Sequence, residues 1–499
     1  MERENLPLKK RVIIIGAGLG GLSAAIRLAA HGFAVTVLEQ QPQAGGKLQR
    51  IVEQGYRFDR GPSTITLPHM FAEVFTSAGR RMEDYVTLSP LDPSVRNVFH
   101  DGSIVDLHRS VEAVALQIAA YSPEDAAAYP RFCEEAERLY RISEEQFLGK
   151  LMLGWRDMAR PRMAAAFARI RPFTTLQQLL RHYFRHPNTL AMLGRYATYV
   201  GSSPYEAPAI FAMLAHVERE LGVYSVKGGT SSIVDAFERL AGELGVELHY
   251  RTTVERIRVS GGRVAGVETT AGSMDADIVI AGGDVLTICE RLLRPEDRRS
   301  MPDARIRGYE PSLSGFVMLL GIPASQPQLL HHTVFFPARY EDEFQSIFRE
   351  LQPPQASTVY ICHPAATEPE AAPPGGSSLF VLVNAPYLSE RWSWEEESER
   401  YAARIAADLT RLGVAGVPQA EVRRIYTPQQ LHADTAAYRG AIYGISSNGA
   451  RQTFFRPANR SRDIEGLWFV GGTTHPGGGT PIVTRSGQLV AERLISIYS

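Results

Sequence analysis

This sequence predicts an α/β fold: a parallel sheet assembled from separated stretches of chain, with a sheet-based part and a helical part inserted between them. Three observations carry the prediction. The β-branched run "VIII" at 12–15 meets a glycine-rich turn and a helix, the strand-like "FAVTVL" follows at 33–38, and strand-then-glycine units recur in "DIVIAGGD" and "GLWFVGG". Strands that alternate with helices in this way point to parallel βαβ units.

The first unit explains itself residue by residue. The short apolar run before Gly16 suits a strand buried on both faces. Gly16-Ala17-Gly18-Leu19-Gly20-Gly21 matches G-x-G-x-x-G. In such a turn Gly16 permits the tight reversal, Gly18 admits a pyrophosphate close to the backbone, and Gly21 lets helix and strand approach. Leu22, Ile26 and Leu28 give the helix an apolar side, Gly32 ends it, and its N-terminus offers N–H groups to phosphates. Glu39, at the tip of the second strand, can accept both hydroxyls of a ribose. Strand, turn, helix, strand and acid in register make this a Rossmann-type dinucleotide site rather than a bare glycine turn.

Later segments continue the unit. "QQPQAGGKLQ" brings Gly46 and Lys47, and "GYRFDRGPS" brings Asp59, Arg60, Gly61 and Pro62. "YSVKGGTSSIVDAFERLA" is a second Gly-Gly before a helix; "GVELHYRTTVERIRV" and "DIVIAGGD" are expected to extend the first sheet. "GLWFVGGTTHPGGGTPIVTRSGQLVAERLI" reads as strand, Gly-Gly, long loop and terminal helix. The dinucleotide unit is therefore expected over 1–85, 222–298 and 464–499. A helical insertion is expected over 106–221, where "SVEAVALQIAAY", "PEDAAAYPRFCEEAERLYRI" and "LQQLLRHYF" space apolar residues by three and four. A substrate part is expected over 86–105 and 299–463, with strands at "SGFVMLLGI", "TVFFP", "STVYICHP" and "SLFVLVNAP" and a helix at "EEESERYAARIAADLTRLG".

Composition sets the limits. The chain has 499 residues, 44% hydrophobic and 21% charged, enough for two or three packed units of roughly 150 residues. A net charge of −1 offers no overall field for nucleic acid. Cys133, Cys289 and Cys362 lack pair spacing, so a reducing compartment, no disulfide and no thiolate metal site are expected. No run of about 18 apolar residues predicts a spanning helix. "MERENLPLKKRVIII" lacks the apolar core of a secretory leader, so a cytoplasmic location is expected.

In combination, "GFAVTVLEQ", "GYRFDRGPS", "YVGSSPYEAPAIFAML", "SGFVMLLGI", "YRGAIYGI" and "VGGTTHPGGGTPIVTRSGQ" resemble the FAD-dependent amine oxidase-like superfamily and, within it, the bacterial phytoene desaturase family. The likeness runs from about residue 11 to 495 and is strongest to the branch acting on C30 carotenoids, which includes dehydrosqualene desaturase and diaponeurosporene oxidase. It implies a discontinuous FAD-binding domain, FAD with Glu39 on the adenosine ribose, and cofactor contacts from Gly16, Gly18, Gly21, Gly46, Lys47, Gly61, Pro62, Val254, Gly471, Gly472, Thr480 and Pro481. It implies a long acyclic carotenoid as substrate, oxidised at a terminal methyl to an aldehyde or desaturated along the chain, with oxygen or a quinone as electron acceptor. Gly471-Gly472, Gly478 and Ser486-Gly487-Gln488 depart from the desaturase pattern and are similar to the terminal-methyl oxidase branch. The fold also hosts flavin-dependent isomerases, amine oxidases and flavin-free isoprenoid-binding proteins; "THPGGGTP" lacks the paired aromatics of an amine oxidase cage, and the complete glycine fingerprint with Glu39 is unexpected in a flavin-free binder.

Few residues stand out as catalytic, as expected where a flavin carries the hard step. The resemblance places Asp59, Arg60 and His475 near the flavin. The alternative for Asp59 and Arg60 is a surface turn pair; for His475 it is a brace for its glycine loop. His331 and His332 are adjacent in an expected strand, which predicts side chains on opposite faces and no metal site. Tyr196, Tyr199, Tyr205, Phe211 and Met213 suit either an apolar tunnel or the core. From Met158 to Pro187 there is no acidic residue, while Arg160, Arg162, Arg169, Arg171, Arg181 and Arg185 alternate with apolar residues. That pattern fits either a solvated basic face or docking on anionic lipid. With a bilayer-soluble substrate it favours a chain peripherally associated with the inner face of the cell membrane.

Overall fold

The computed structural model describes residues 10–153 and 161–498. Strands β1 (Arg11–Ile15) and β2 (Ala34–Leu38) flank helix α1 (Leu19–Ala30). They lie in a five-stranded parallel sheet with Glu247–His249 beyond β2, and Ile278–Ala281 then Leu467–Phe469 beyond β1. Three separated stretches of chain thus share one sheet. Val12, Ile14, Ile278 and Ile280 are almost wholly buried, as strands covered on both faces require. The stretch at 254–260 departs from expectation. Strand Val254–Ser260 leaves the parallel sheet and joins Arg263–Thr269 and Gly272–Asp275 in an antiparallel one.

Small residues let α1 pack against the terminal helix Thr480–Tyr498. A Cβ on Gly487 would lie 2.2 Å from the Gly20 carbonyl oxygen, so only glycine fits. The contact is also stitched by side chains: Gln488 Nε2 donates to the Ser23 carbonyl at 2.8 Å, and Arg27 Nη1 donates to Gln488 Oε1 at 2.7 Å. Gly487 and Gln488 therefore serve helix packing, whereas Ser486 Oγ accepts from Asn459 Nδ2 at 3.3 Å.

A seven-stranded, mainly antiparallel sheet forms the second part. Its order is Val422–Tyr426, Ser314–Ile322, Ser377–Ala385, Val359–Cys362, His332–Phe335, Val95–Val98 and Ile104–Leu107. Alternation decides its faces. Phe316, Met318, Leu320, Val381 and Val383 pack under the amphipathic helix Trp394–Arg411, through Trp394, Tyr401, Ile405 and Leu409. The intervening residues face the other way. Val317, Leu382, Tyr360 and Val334 are successive partners across four strands and make one row of that opposite face. The loop at 363–378 contains two short 3-10 turns, with Ala371 buried.

Helices Val111–Ala119, Pro123–Ser143, Pro161–Arg169, Leu176–Tyr183 and Pro187–Gly194 make up most of the helical part. Arg169, Arg171, Arg181 and Arg185 are exposed there, but the apolar residues between them mostly turn inward; Ile170, Leu176, Leu180 and Phe184 are fully buried. Phe173 is the exception, at 86% exposure. Arg160 lies outside the described residues, as does the side chain of Arg162, and the leader expectation falls largely on residues 1–9, also outside them. Cys133, Cys289 and Cys362 are free and buried. Among the described residues, no helix is long and apolar enough to cross a membrane.

Candidate active site

One cavity of about 700 Å³ joins the carboxyl ends of the parallel strands to the inner face of the seven-stranded sheet. Ile15, Gly16, Leu38, Glu39, Gly282 and Gly471 line its first half, the position where α/β sheets hold ligands. The glycine turn divides its labour. Gly16 takes a φ of +95°, a Cβ on Gly21 would lie 2.2 Å from the Gly16 carbonyl oxygen, and a Cβ on Gly18 would meet nothing within 4 Å. Gly21 thus serves packing and is not among the lining residues, while the space beside Gly18 is open. Gly18 is also the N-cap of α1, and no side chain caps that end.

Glu39 is buried at the cavity edge. Its Oε2 accepts from the Ala17 N–H at 2.8 Å and its Oε1 from the Gln41 N–H at 2.9 Å, so acceptor capacity remains for a ligand. Burial raises its pKa, and the N–H groups of Gln41, Ala17 and Gln40 work against the rise. Gly46, Lys47, Gly61, Pro62 and Val254 line the same cavity. So do Gly472, Thr480 and Pro481, where the terminal helix begins.

Besides the exposed Arg291, two half-buried cations stand in this wall without a carboxylate within ion-pair distance among the described residues. Lys47 Nζ donates to the carbonyls of Ala441 and Ile442, at 3.2 and 2.5 Å. Burial pushes the ammonium down to about 8, against the pull of Asp284. Arg456 Nη1 donates to the Gly472 carbonyl at 3.0 Å and Nη2 to Ser447 Oγ at 2.8 Å; burial lowers it to about 10. Sequence reading missed Asp284 and Arg456. An acid directly before "VLTICERL" is an N-cap signal, and Asp284 does accept from the Leu286 N–H at 3.0 Å. Arg456, in the irregular "FFRPANR", carries no local signal at all.

The three residues expected near the catalytic centre separate. Asp59 lies outside the large cavity. Its carboxylate accepts from the Thr230 N–H at 2.8 Å, the Ser231 N–H at 3.1 Å and the Ser231 hydroxyl at 2.6 Å, so it anchors the start of helix Ser232–Glu243. Arg60 does line the cavity, in an ion pair with Asp434 at 2.9 Å and 4.1 Å above the Tyr426 ring. His475 lines it too; its Nε2 donates to the Phe147 carbonyl at 2.8 Å, and burial lowers its pKa to about 4, which favours the neutral ring.

His331 and His332 overturn the expectation of opposite faces. The strand begins only at His332, so the two rings come within 4.6 Å of each other. Cys362 joins them, with donor atoms of all three within 4.8 Å of one another. His331 Nδ1 meets Thr367 Oγ1 and His332 Nδ1 meets the Tyr360 hydroxyl, both at 2.8 Å. Of the aromatic segment, Tyr199, Phe211 and Met213 line the cavity, Tyr196 is core, and Tyr205 packs on Phe344.

A family model described as flavin containing amine oxidoreductase matches residues 19–495. The chain belongs to this family. It is 35% identical to a 4,4'-diapolycopene oxygenase of Methylomonas sp, over 98% of each chain. It is 34% identical to a zeta-carotene-forming phytoene desaturase of Myxococcus xanthus, over 98% of this chain and 94% of that one. It is 32% identical to a 4,4'-diaponeurosporene oxygenase of Staphylococcus aureus, over 98% of each. Among solved structures, it superposes on a putrescine oxidase variant with a TM-score of 0.67 at 15% identity, covering 98% and 99% of the two chains. For cyclohexylamine oxidase from Brevibacterium oxydans the TM-score is 0.63 at 16% identity, with the same coverage. The amine oxidase-like fold and a flavin cofactor follow.

The residues present fit FAD. Space beside Gly18 and the uncapped end of α1 suit the pyrophosphate, and Glu39 keeps lone pairs for a ribose. The unpaired cations Lys47 and Arg456 suit the negative charge of a reduced flavin.

Proposed function

We propose that this oxidoreductase acts on a long acyclic carotenoid of C30 type, oxidising a terminal methyl to an aldehyde, with desaturation of the chain as the second reading. One observation carries the proposal. The FAD cradle and an apolar chamber form a single cavity, whose far wall includes Val317, Leu382, Val334, Ile210, Phe211 and Met213. Bound flavin would supply a two-electron oxidant, which a substrate without acid or base handles needs: desaturation takes one such oxidation, whereas methyl to aldehyde takes two, through the alcohol, with water supplying the oxygen atom and oxygen or a quinone reoxidising the flavin each time. This chain's residues orient the apolar ligand and exclude water, and Lys47 and Arg456 stabilise negative charge that builds up opposite them. Oxygenases among the relatives support the terminal reading, and the desaturase relative keeps the second one open. Oxygen or a quinone takes the electrons afterwards.

The substrate reaches the cavity from a bilayer in this proposal, through reversible docking at the cytoplasmic membrane face. Support comes from the exposed Phe173 and from the exposed Arg169, Arg171, Arg181 and Arg185 on the same stretch of chain. Ring contacts lead inward from it: Phe173 to Phe167 at 6.4 Å, Phe167 to Phe454 at 5.0 Å, and Phe454 to Phe147 at 5.7 Å. Phe454 and Phe147 both line the cavity.

Expression in a bacterium that makes diaponeurosporene tests the reaction. Product masses that gain oxygen support terminal oxidation, and masses that lose pairs of hydrogens support desaturation. Unchanged masses with flavin-loaded protein present contradict both.

A further inference from the structure

The apolar chamber contains a charged polar cluster that a pure hydrocarbon cannot use. Arg195, 4% exposed, directly follows helix Pro187–Gly194 and lines the cavity together with Tyr199 and Tyr340. Its Nη1 donates to the Tyr199 hydroxyl at 2.7 Å, and its Nη2 lies 3.5 Å from Glu218 Oε2. The Tyr196 hydroxyl donates to Glu218 Oε2 at 2.8 Å, and the Tyr199 hydroxyl donates to the other carboxylate oxygen. Burial works against the guanidinium charge, but Tyr199 and Glu218 more than offset it and hold Arg195 above its ordinary range.

Glu218 thus accepts on both carboxylate oxygens, while Arg195 keeps one N–H without an acceptor. Among the described residues, Arg195 Nε has no hydrogen-bond partner, and neither has the hydroxyl of Tyr340, which is 8% exposed. Tyr340 lies beside the backbone that carries Arg195: a Cβ on Gly194 would lie 3.5 Å from the Tyr340 ring. Buried donors without partners are unfavourable, and a cavity that holds two of them is short of an acceptor. The charge balance narrows what that acceptor is. Arg195 is already neutralised by Glu218, so an incoming carboxylate would bring an uncompensated buried charge, whereas a hydroxyl or carbonyl oxygen would not.

We infer that Arg195 and Tyr340 form a subsite for a neutral oxygen, a hydroxyl or carbonyl, at one end of an otherwise apolar chain. This rests on the polyene reading above and sharpens it: the ligand held best is one already oxygenated at a terminus. A terminal-carbon oxidation, by this chain or by another enzyme, must then supply it.

Flavin-loaded protein tests the inference with three probes: an acyclic C30 polyene hydrocarbon, the same polyene with one terminal aldehyde, and the same with one terminal carboxylate. Quenching of tryptophan fluorescence gives each Kd. The aldehyde is expected to bind about tenfold more tightly than the hydrocarbon, and the carboxylate more weakly than the aldehyde. Tyr340→Phe should shrink the aldehyde-to-hydrocarbon ratio about threefold. Arg195→Met combined with Glu218→Gln, which leaves no charge unpaired, should bring it near one. Equal binding of hydrocarbon and aldehyde by the unaltered protein overturns the subsite, as does a ratio that Tyr340→Phe leaves in place. Tighter binding of the carboxylate overturns its neutrality. If neither hydrocarbon nor aldehyde binds, the polyene reading itself fails, which is a distinct outcome.

Discussion

Around Gly16, Gly18 and Gly46 the cavity wall is backbone, whereas around Val317, Leu382 and Val334 it is the side chains of a sheet. The first half recognises a ligand by N–H groups, a carboxylate and the half-buried cations Lys47 and Arg456 held at fixed places. The second half is largely apolar, and the buried Arg195 in it is paired with Glu218. The contrast matches two ligands of different kinds. A charged dinucleotide is held by directional bonds, and a greasy chain is held by shape and exclusion of water. It also implies unequal tolerance to substitution, since the turn beneath the backbone wall leaves no room for a methyl at Gly21 while a sheet face absorbs volume-conserving changes.

The largest expected effect breaks the backbone half. Gly21→Ala sets a Cβ 2.2 Å from the Gly16 carbonyl oxygen, so the turn must move, at a cost of about 3 kcal/mol or more, and flavin is lost. Thermal melts and the visible flavin absorbance of purified protein read both effects. Next is acid sensitivity. The folded value of His475, about 4, lies below its ordinary 6.5, so its contribution to stability is complete above about pH 6.5 and drains away as pH falls toward 4. His475→Asn should lessen the acid loss of stability by on the order of 3 kcal/mol, read as urea midpoints between pH 7 and pH 4. Smaller is the membrane term. Arg169→Glu with Arg171→Glu should weaken flotation with anionic liposomes by about 2 kcal/mol and leave neutral liposomes unaffected. Equal flotation of altered and unaltered protein would remove the docking surface. Smallest is Gly18→Ala, whose Cβ meets nothing in the chain. It should leave the melting temperature of flavin-free protein unchanged while weakening flavin about tenfold, a loss of roughly 1.4 kcal/mol.

The same contrast explains what was legible in the sequence. Glycine chemistry is local, so the turn at Gly16–Gly21 and the acid at Glu39 could be read from thirty consecutive residues. Strands such as "SGFVMLLGI" were legible as strands, but an apolar run buried on both faces does not reveal which parity faces a cavity. Partnerships across long sequence separation were out of reach. Asp59 meets Thr230 and Ser231, His475 meets Phe147, and Arg456 meets Gly472, each through a pairing of segments that no local pattern encodes. His331 and His332 were misjudged for a different reason, since the rule of alternating faces holds inside a strand and His331 stands just outside one. Arg195 did carry a signal, a charge inside the apolar "GRYATYVG", but the aromatics around it drew the reading toward packing.

The most direct measurement of the central claim, that one cavity brings FAD and a polyene together, is anaerobic titration of flavin-loaded protein with a C30 acyclic polyene. The account predicts that the visible flavin absorbance bleaches stepwise with added polyene and returns when oxygen or a quinone is admitted. Purified protein that holds flavin yet shows no bleaching at polyene excess, or that takes up no flavin at all, would contradict it.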